Sequence, residues 1–140
     1  MALRASQVKV GDSKTMVVAN NLSRTQIVMY AGASGDYNPI HSDERYTVEV
    51  AGYPSVFAHG MLSMGATGRL LTDWLGDGRL TDFGVRFVNQ VWPGDTLTST
   101  ATIEAIRSEG DVMIADLSVV TVNQNDQPVV SGTASARLDP

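Results

Sequence analysis

A short stretch containing glycine and proline carries the residues best suited to acid–base chemistry. Residues 34–41 read Ser-Gly-Asp-Tyr-Asn-Pro-Ile-His, which places a carboxylate at Asp36 and an imidazole at His41, five residues later. Gly35 and Pro39 favour a bent loop that can bring both side chains to one point. Such a pair can hold a water molecule and exchange protons with it, because histidine titrates near neutral pH and aspartate supplies a fixed negative charge.

A second stretch is suited to stabilising negative charge. Residues 58–63 read Ala-His-Gly-Met-Leu-Ser and are predicted to open a helix. Unpaired amide groups at a helix N-terminus carry partial positive charge, and Gly60 lets a ligand approach the backbone closely. The helix start is therefore a suitable place to stabilise a developing oxyanion.

The same residues could also have purely structural roles, and the sequence alone does not decide between the two. Asp36 and Asn38 are common turn formers, and His41 can simply begin a helix. His59 can cap or pack the entrance of its helix, while Gly60 relieves crowding there. The two histidines and Asp36 are also metal-ligand types, but the chain has no cysteine and no compact ligand motif such as His-Glu-x-x-His. We therefore expect no metal ion and no other cofactor.

The elements that must position these stretches differ between the two halves of the chain. In the first half a strand is expected near residues 16–19, and Ser-Arg-Thr-Gln at 23–26 is a capping box that should open a helix through Ala31. Asp43 can cap a short second helix that ends near Gly52. The longest helical pattern covers residues 59–75 and is apolar over most of its circumference, which is typical of a buried helix.

The second half alternates between apolar and polar residues with a period of two, as half-buried strands do. Strands are predicted at residues 96–105, 112–122 and 129–138, and an earlier one covers residues 83–91. The short turns between successive strands indicate an antiparallel meander. Together with one buried helix, the pattern predicts an α+β fold in which an antiparallel sheet wraps around a long central helix.

Composition narrows the class of protein. The 140 residues suit a single domain covering 1–140. The formal net charge is −5, with 10 lysines and arginines scattered among 15 acidic residues, so we expect no nucleic-acid partner. There is no apolar run of the roughly 18 residues that a membrane helix needs. With no cysteine and no signal-like N-terminus, the sequence predicts a cytoplasmic protein without membrane attachment.

The two chemical stretches together resemble a known family. Ser-Gly-Asp-x-Asn-Pro-Ile-His followed by Ala-His-Gly-Met is similar to the hydratase-2 signature of MaoC-like, hot-dog-fold enoyl-thioester hydratases and dehydratases. The resemblance covers about residues 10–138 and includes Trp-Pro-Gly-Asp at 92–95. It implies a single hot-dog domain that interconverts a trans-2-enoyl thioester and a (3R)-3-hydroxyacyl thioester of CoA or acyl carrier protein, in fatty acid metabolism.

The resemblance also implies roles for individual residues. Asp36 and His41 match the catalytic pair that activates water, and the Gly60 amide matches the donor to the thioester carbonyl. Asn38 matches a motif asparagine that braces the loop, and His59 is expected to support the site. In some relatives a serine lies nine residues after the second histidine, a position that is Gly68 here.

Two other functions remain open. A hot-dog acyl thioesterase would use a carboxylate on or near the central helix, and a non-catalytic subunit of a heteromeric dehydratase would have no turnover. The meander leaves edge strands, so a homodimer, a dimer of dimers, or a heterodimer with a related hot-dog subunit is expected. Small residues at 65, 66 and 68 are expected to leave space for the acyl tail beside the helix.

Overall fold

In a computed structural model, which describes residues 2–140, five antiparallel strands form one sheet. The strands are β1 (Ser13–Ala19), β2 (Leu80–Phe87), β3 (Leu97–Glu109), β4 (Val112–Val122) and β5 (Pro128–Leu138). Their order across the sheet is β1-β3-β4-β5-β2. The expected meander is formed by β3, β4 and β5, whereas β2 pairs with β5 at the far edge instead of with β3.

Within residues 2–140, two helices and three short helical turns complete the fold. The helices are α1 (Arg24–Ser34) and α2 (Gly60–Leu75); the turns are Ala5–Gln7, Pro39–His41 and Tyr46–Val50. The capping box is present, because the Ser23 hydroxyl accepts from the Gln26 amide at 3.0 Å and the Gln26 side chain accepts from the Ser23 amide at 2.9 Å. The short helix expected after Asp43 is present as the π-type turn Tyr46–Val50, and the Asp43 carboxylate caps it by accepting from the Tyr46 amide at 3.0 Å.

One face of α2 packs against the sheet. Its buried residues are Ser63, Thr67, Leu70, Leu71 and Leu75. The other face is more open than its apolar composition predicts, since the Met61 side chain is 54% exposed. The sheet and α2 share a core of leucine, isoleucine, valine and alanine side chains. The predicted α+β architecture, with an antiparallel sheet around one long helix, is confirmed.

The loop between β2 and β3 returns to the start of α2. The strand predicted at residues 83–91 ends at Phe87, and Val91 lies in this loop, where it is 3% exposed. The Val91 carbonyl accepts a hydrogen bond from the Ala58 amide at 2.8 Å. The Asp95 carboxylate closes the loop by accepting from the Trp92 amide at 2.9 Å. The loop thus braces the segment that leads into α2.

None of the helices within residues 2–140 combines the length and the apolar character needed to cross a lipid bilayer.

Candidate active site

The loop after α1 is bent by side chains that bond to the backbone two residues later. Gly35 ends α1 with φ 74°, a left-handed conformation that glycine adopts without strain. The Ser34 hydroxyl accepts from the Asp36 amide, the Asp36 carboxylate from the Asn38 amide, and the Asn38 side chain from the Ile40 amide, each at 3.2 Å. The turn-forming roles considered for Asp36 and Asn38 are therefore real. Only one oxygen of the Asp36 carboxylate takes part in the turn.

His41 is buried and bonded to the backbone through one ring nitrogen. It is 7% exposed, and its Nδ1 lies 2.6 Å from the carbonyl oxygen of Phe57. A carbonyl can only accept, so Nδ1 carries the hydrogen and Nε2 presents a lone pair. Burial lowers the pKa of His41 below its ordinary value of 6.5, and neighbouring His59 lowers it further, against the opposing effects of the Phe57 carbonyl and Asp36. His41 is therefore uncharged at neutral pH.

His59 joins the loop to the start of α2. It is 1% exposed, and its Nε2 lies 3.0 Å from the main-chain oxygen of Asp36. That oxygen accepts, so Nε2 is the protonated nitrogen. The His59 ring stacks on His41, with ring centres 3.8 Å apart and planes 27° apart, and it contacts the Tyr30 ring at 4.8 Å. His59 is the N-cap residue of α2 by position, but its side chain makes no capping hydrogen bond.

The two stretches meet at the N-terminus of α2. One nitrogen of each histidine and a carboxylate oxygen of Asp36 lie within 4.8 Å of one another. Asp36 is exposed whereas both histidines are buried, so the group lies at the boundary between solvent and the interior. Gly60, the first residue of α2, directly follows His59. An exposed carboxylate beside a neutral imidazole is an arrangement that can bind water and move its protons.

The same three side chains are poorly arranged to share a metal ion. A zinc ion lies in the plane of each imidazole that binds it, at about 2.0–2.1 Å from the nitrogen. Since the His41 and His59 rings are stacked 3.8 Å apart with planes 27° apart, an ion close to one ring and in its plane lies out of the plane of the other. One nitrogen of each ring also donates to a backbone carbonyl. The geometry suits proton transfer better than metal binding.

Gly60 has a packing role that does not depend on its amide. A Cβ atom at this position would lie 2.9 Å from the ring of Phe87, closer than real Cβ contacts allow. The structural role considered for Gly60, relief of crowding at the start of α2, is therefore present. The first amide groups of a helix still lack partners within the helix, so the same residue can offer its N–H to an oxyanion.

Two grooves follow α2 on either side of Tyr30. The larger, about 620 Å³, is lined by Gly65, Gly68 and Phe83, among others. The smaller, about 370 Å³, lies between α1, α2 and β1 and includes Ala66. The small residues predicted to leave space beside the helix thus face two different grooves.

Some contributing residues were not expected from the sequence. Tyr30 touches His59 and lines both grooves. Tyr30 follows buried Ile27 by three residues on a predicted helix, and this spacing indicates that both side chains lie on the inward face. Phe57 contributes its main-chain carbonyl to His41 and packs its ring on Trp92, with centres 5.6 Å apart. Every residue has a main-chain carbonyl, so the sequence does not indicate that the carbonyl of Phe57 would contact His41.

Comparison with known proteins places the chain in a family. The MaoC-like domain model matches residues 5–124. The (R)-specific enoyl-CoA hydratase of Rhodospirillum rubrum is 34% identical over 109 residues, which are 73% of this chain and 70% of that protein. The 3-hydroxyacyl-thioester dehydratase Y of Mycobacterium tuberculosis is 41% identical over 69 residues, which are 47% of this chain and 24% of that protein.

A solved structure extends the likeness to the whole fold. The (R)-hydratase from A. caviae involved in PHA biosynthesis superposes with a TM-score of 0.84 at 26% identity, covering 96% of this chain and 99% of that one. The predicted hot-dog fold is thereby confirmed. Three other relatives are longer proteins, and the segments matched by this chain span only 24%, 32% and 33% of their lengths. The chain belongs to the MaoC-like domain family.

Proposed function

We propose that this chain is a hydro-lyase that reversibly hydrates a trans-2-enoyl thioester of CoA or acyl carrier protein to the (3R)-3-hydroxyacyl thioester. The observation that carries the proposal is a neutral His41 next to an exposed Asp36 carboxylate at the N-terminus of α2. Relatives named as an (R)-specific enoyl-CoA hydratase and a 3-hydroxyacyl-thioester dehydratase support both directions of the reaction and a place in fatty acid metabolism.

In the proposed reaction the three residues have separate tasks. Asp36 orients a water molecule by accepting a hydrogen bond from one of its O–H groups, which stays intact, and His41 Nε2 takes the second hydrogen as a proton while the water oxygen bonds to C3. The electrons of the C2=C3 bond move toward the thioester, whose oxygen becomes negative and accepts from the Gly60 N–H. One such donor is worth about 3–4 kcal/mol in other enzymes. The proton held by His41 then passes to C2, so that one water is added and both side chains return to their starting states.

Asn38 and His59 support the pair without touching substrate. Asn38 holds the loop through its bond to the Ile40 amide, and His59 holds the Asp36 backbone. Because water reaches C3 from one fixed side, a single enantiomer is expected. The family resemblance makes it the 3R alcohol.

A direct assay separates this function from its alternatives. The purified chain is incubated with crotonyl-CoA while the enoyl absorbance and free thiol are followed together. We expect the absorbance to fall without thiol release, and chiral analysis to give only the 3R product. Thiol release would indicate a thioesterase, and no reaction by the chain alone would indicate a non-catalytic subunit. A 3S or racemic product would contradict the one-sided mechanism.

For assembly we propose a homodimer, a dimer of dimers, or a heterodimer with a related hot-dog subunit. Both edge strands, β1 and β2, leave one side of their backbone unpaired within the sheet, and such edges favour pairing with another chain. Sedimentation of the purified chain at micromolar concentration tests this; an active monomer would contradict it. The cytoplasmic location remains a prediction.

A further inference from the structure

A line of buried hydroxyl groups leads from the inward face of α2 to the sheet. Thr67 donates to the Ser63 carbonyl at 2.9 Å, and its oxygen lies 2.6 Å from the Thr121 hydroxyl of β4. The Thr121 oxygen in turn lies 2.5 Å from the Ser99 hydroxyl of β3. One consistent direction satisfies all three groups: Ser99 donates to Thr121, Thr121 to Thr67, and Thr67 to the backbone. This part of the line is complete.

The part nearest the site is not complete. Among residues 2–140, the buried side-chain polar atoms without a protein partner are His59 Nδ1 and Ser63 Oγ. The residues are 1% and 2% exposed. The two atoms are complementary, because His59 commits its hydrogen at Nε2 to the Asp36 carbonyl and so leaves Nδ1 as an acceptor, whereas a serine hydroxyl is a donor. Buried polar groups are nearly always hydrogen-bonded.

The positions of His59 and Ser63 at the start of α2 bring their two unpaired atoms to the same helical turn. Ser63 follows His59 by one helical turn, and side chains on a helix lean toward its N-terminus. The Ser63 hydroxyl therefore lies over the turn that His59 begins. Nδ1 is the ring nitrogen nearer the His59 backbone, and so the nearer to that turn. Enclosed water molecules typically satisfy such isolated buried groups.

We propose that Ser63 is a positioning residue for His59, and that its hydroxyl donates to one enclosed water molecule, which in turn donates to His59 Nδ1. A donor at Nδ1 fixes the tautomer with hydrogen on Nε2. Only that tautomer can hold the main-chain oxygen of Asp36. Ser63 therefore keeps the Asp36 loop and the stacked His41 ring in place, without touching substrate.

Nitrogen-15 NMR of the imidazoles tests the tautomer without any need for turnover. The chain has only two histidines, and a His41→Asn variant identifies the signals of His59. In the unsubstituted protein we expect a His59 ring protonated at Nε2, with Nδ1 at the shift of a hydrogen-bonded acceptor. In Ser63→Ala, Nδ1 should move toward the shift of an unbonded acceptor, and the other tautomer should become populated. Ser63→Thr, which keeps the hydroxyl, should restore the original signals.

Ser99→Ala is the matched control. Ser99 is an equally buried serine in the same line of hydroxyls, but its hydroxyl has a partner in Thr121 and makes no hydrogen bond to either histidine. It should lower the thermal stability and leave the His59 signals unchanged. Unchanged His59 signals in Ser63→Ala would overturn the proposal, as would a folded Ser63→Thr that behaves like Ser63→Ala.

The effect on turnover rests on the proposed function. Ser63→Ala should lower kcat for crotonyl-CoA roughly 10-fold, the lower end of what losing an outer hydrogen-bond partner costs at metal sites, with KM little changed. Ser99→Ala should leave kcat within twofold, and an equal loss there would overturn the positioning role. If the unsubstituted chain has no hydratase activity but its His59 signals respond to Ser63→Ala, the proposed function fails and the positioning role stands.

Discussion

The loop that carries Asp36 and the start of α2 that carries His59 are held in different ways. The loop is shaped by bonds between near neighbours, such as the Asp36 carboxylate on the Asn38 amide, and it is largely exposed. The helix start is buried and depends on partners far along the chain, such as the Val91 carbonyl that accepts from Ala58. Chemistry and stability should therefore separate at exposed Asp36 and coincide at residues buried against the helix start, such as His41.

The loop side of this comparison predicts the largest effect on activity alone. Asp36→Asn keeps an oxygen for the Asn38 amide but removes the negative charge that orients water. We expect turnover to fall roughly 10²–10⁴-fold, the usual range for an acid–base residue. The thermal midpoint should stay almost unchanged, because the side chain is exposed. Assays with crotonyl-CoA beside thermal unfolding measure both. A folded variant that keeps more than half of its activity would contradict the assignment.

His41 belongs to the same stretch as Asp36 but is buried against His59, so its loss should affect both turnover and stability. His41→Ala should lose turnover as severely as Asp36→Asn. It should also destabilise the fold by about 1–3 kcal/mol, because it leaves the Phe57 carbonyl unpaired beside a space once filled by a ring. Substitutions in loops usually spare the fold, but His41 is buried, so this one should not. Urea titration of both variants compares them. Equal stability of His41→Ala and Asp36→Asn would contradict the distinction between buried and exposed members.

The same contrast between local and distant contacts explains how far the sequence could predict the structure. The capping box at Ser23 and the strand Val112–Val122 depend on neighbouring residues, and both were predicted with their correct starting points. The sequence predicts a strand from Phe83 to Val91, but the strand ends at Phe87. Val91 fits the apolar alternation because it is buried, although a loop and not the sheet places it there. Periodicity cannot make that distinction.

In the candidate site, too, local features could be predicted from the sequence and distant contacts could not. The motif predicts that Asp36 and His41 lie close together, because glycine and proline imply a bend between them. The stacking of His41 on His59 and the carbonyl of Phe57 could not be predicted, since they depend on how distant segments pack. The roles of these residues in turnover remain predictions.

The grooves beside α2 offer a sharper test of where substrate lies. A Cβ atom at Gly65 would meet nothing within 4 Å, so Gly65→Leu should fill the larger groove at little cost in stability. If the acyl tail lies there, long-chain enoyl thioesters should lose roughly 10-fold more kcat/KM than crotonyl-CoA. Ala66→Leu is the control in the smaller groove and should leave the ratio unchanged. The opposite result would place the tail between α1 and α2, and equal losses at every chain length would remove it from both grooves.

Acidification should produce the smallest effect, and its sign follows from burial. Because the pKa of His41 lies below 6.5, its Nε2 stays unprotonated through neutral pH, and kcat/KM should fall only when the solution becomes more acidic than that value. The unfolded chain binds the same proton near the ordinary histidine pKa, so it gains protons before the folded chain does. His41 thus contributes stability above about pH 6.5 that is lost as the pH falls. Urea midpoints at pH 7 and pH 5 should show this dependence in the unsubstituted protein and less of it in His41→Asn. An equal dependence in both would mean that groups other than His41 cause the acid sensitivity.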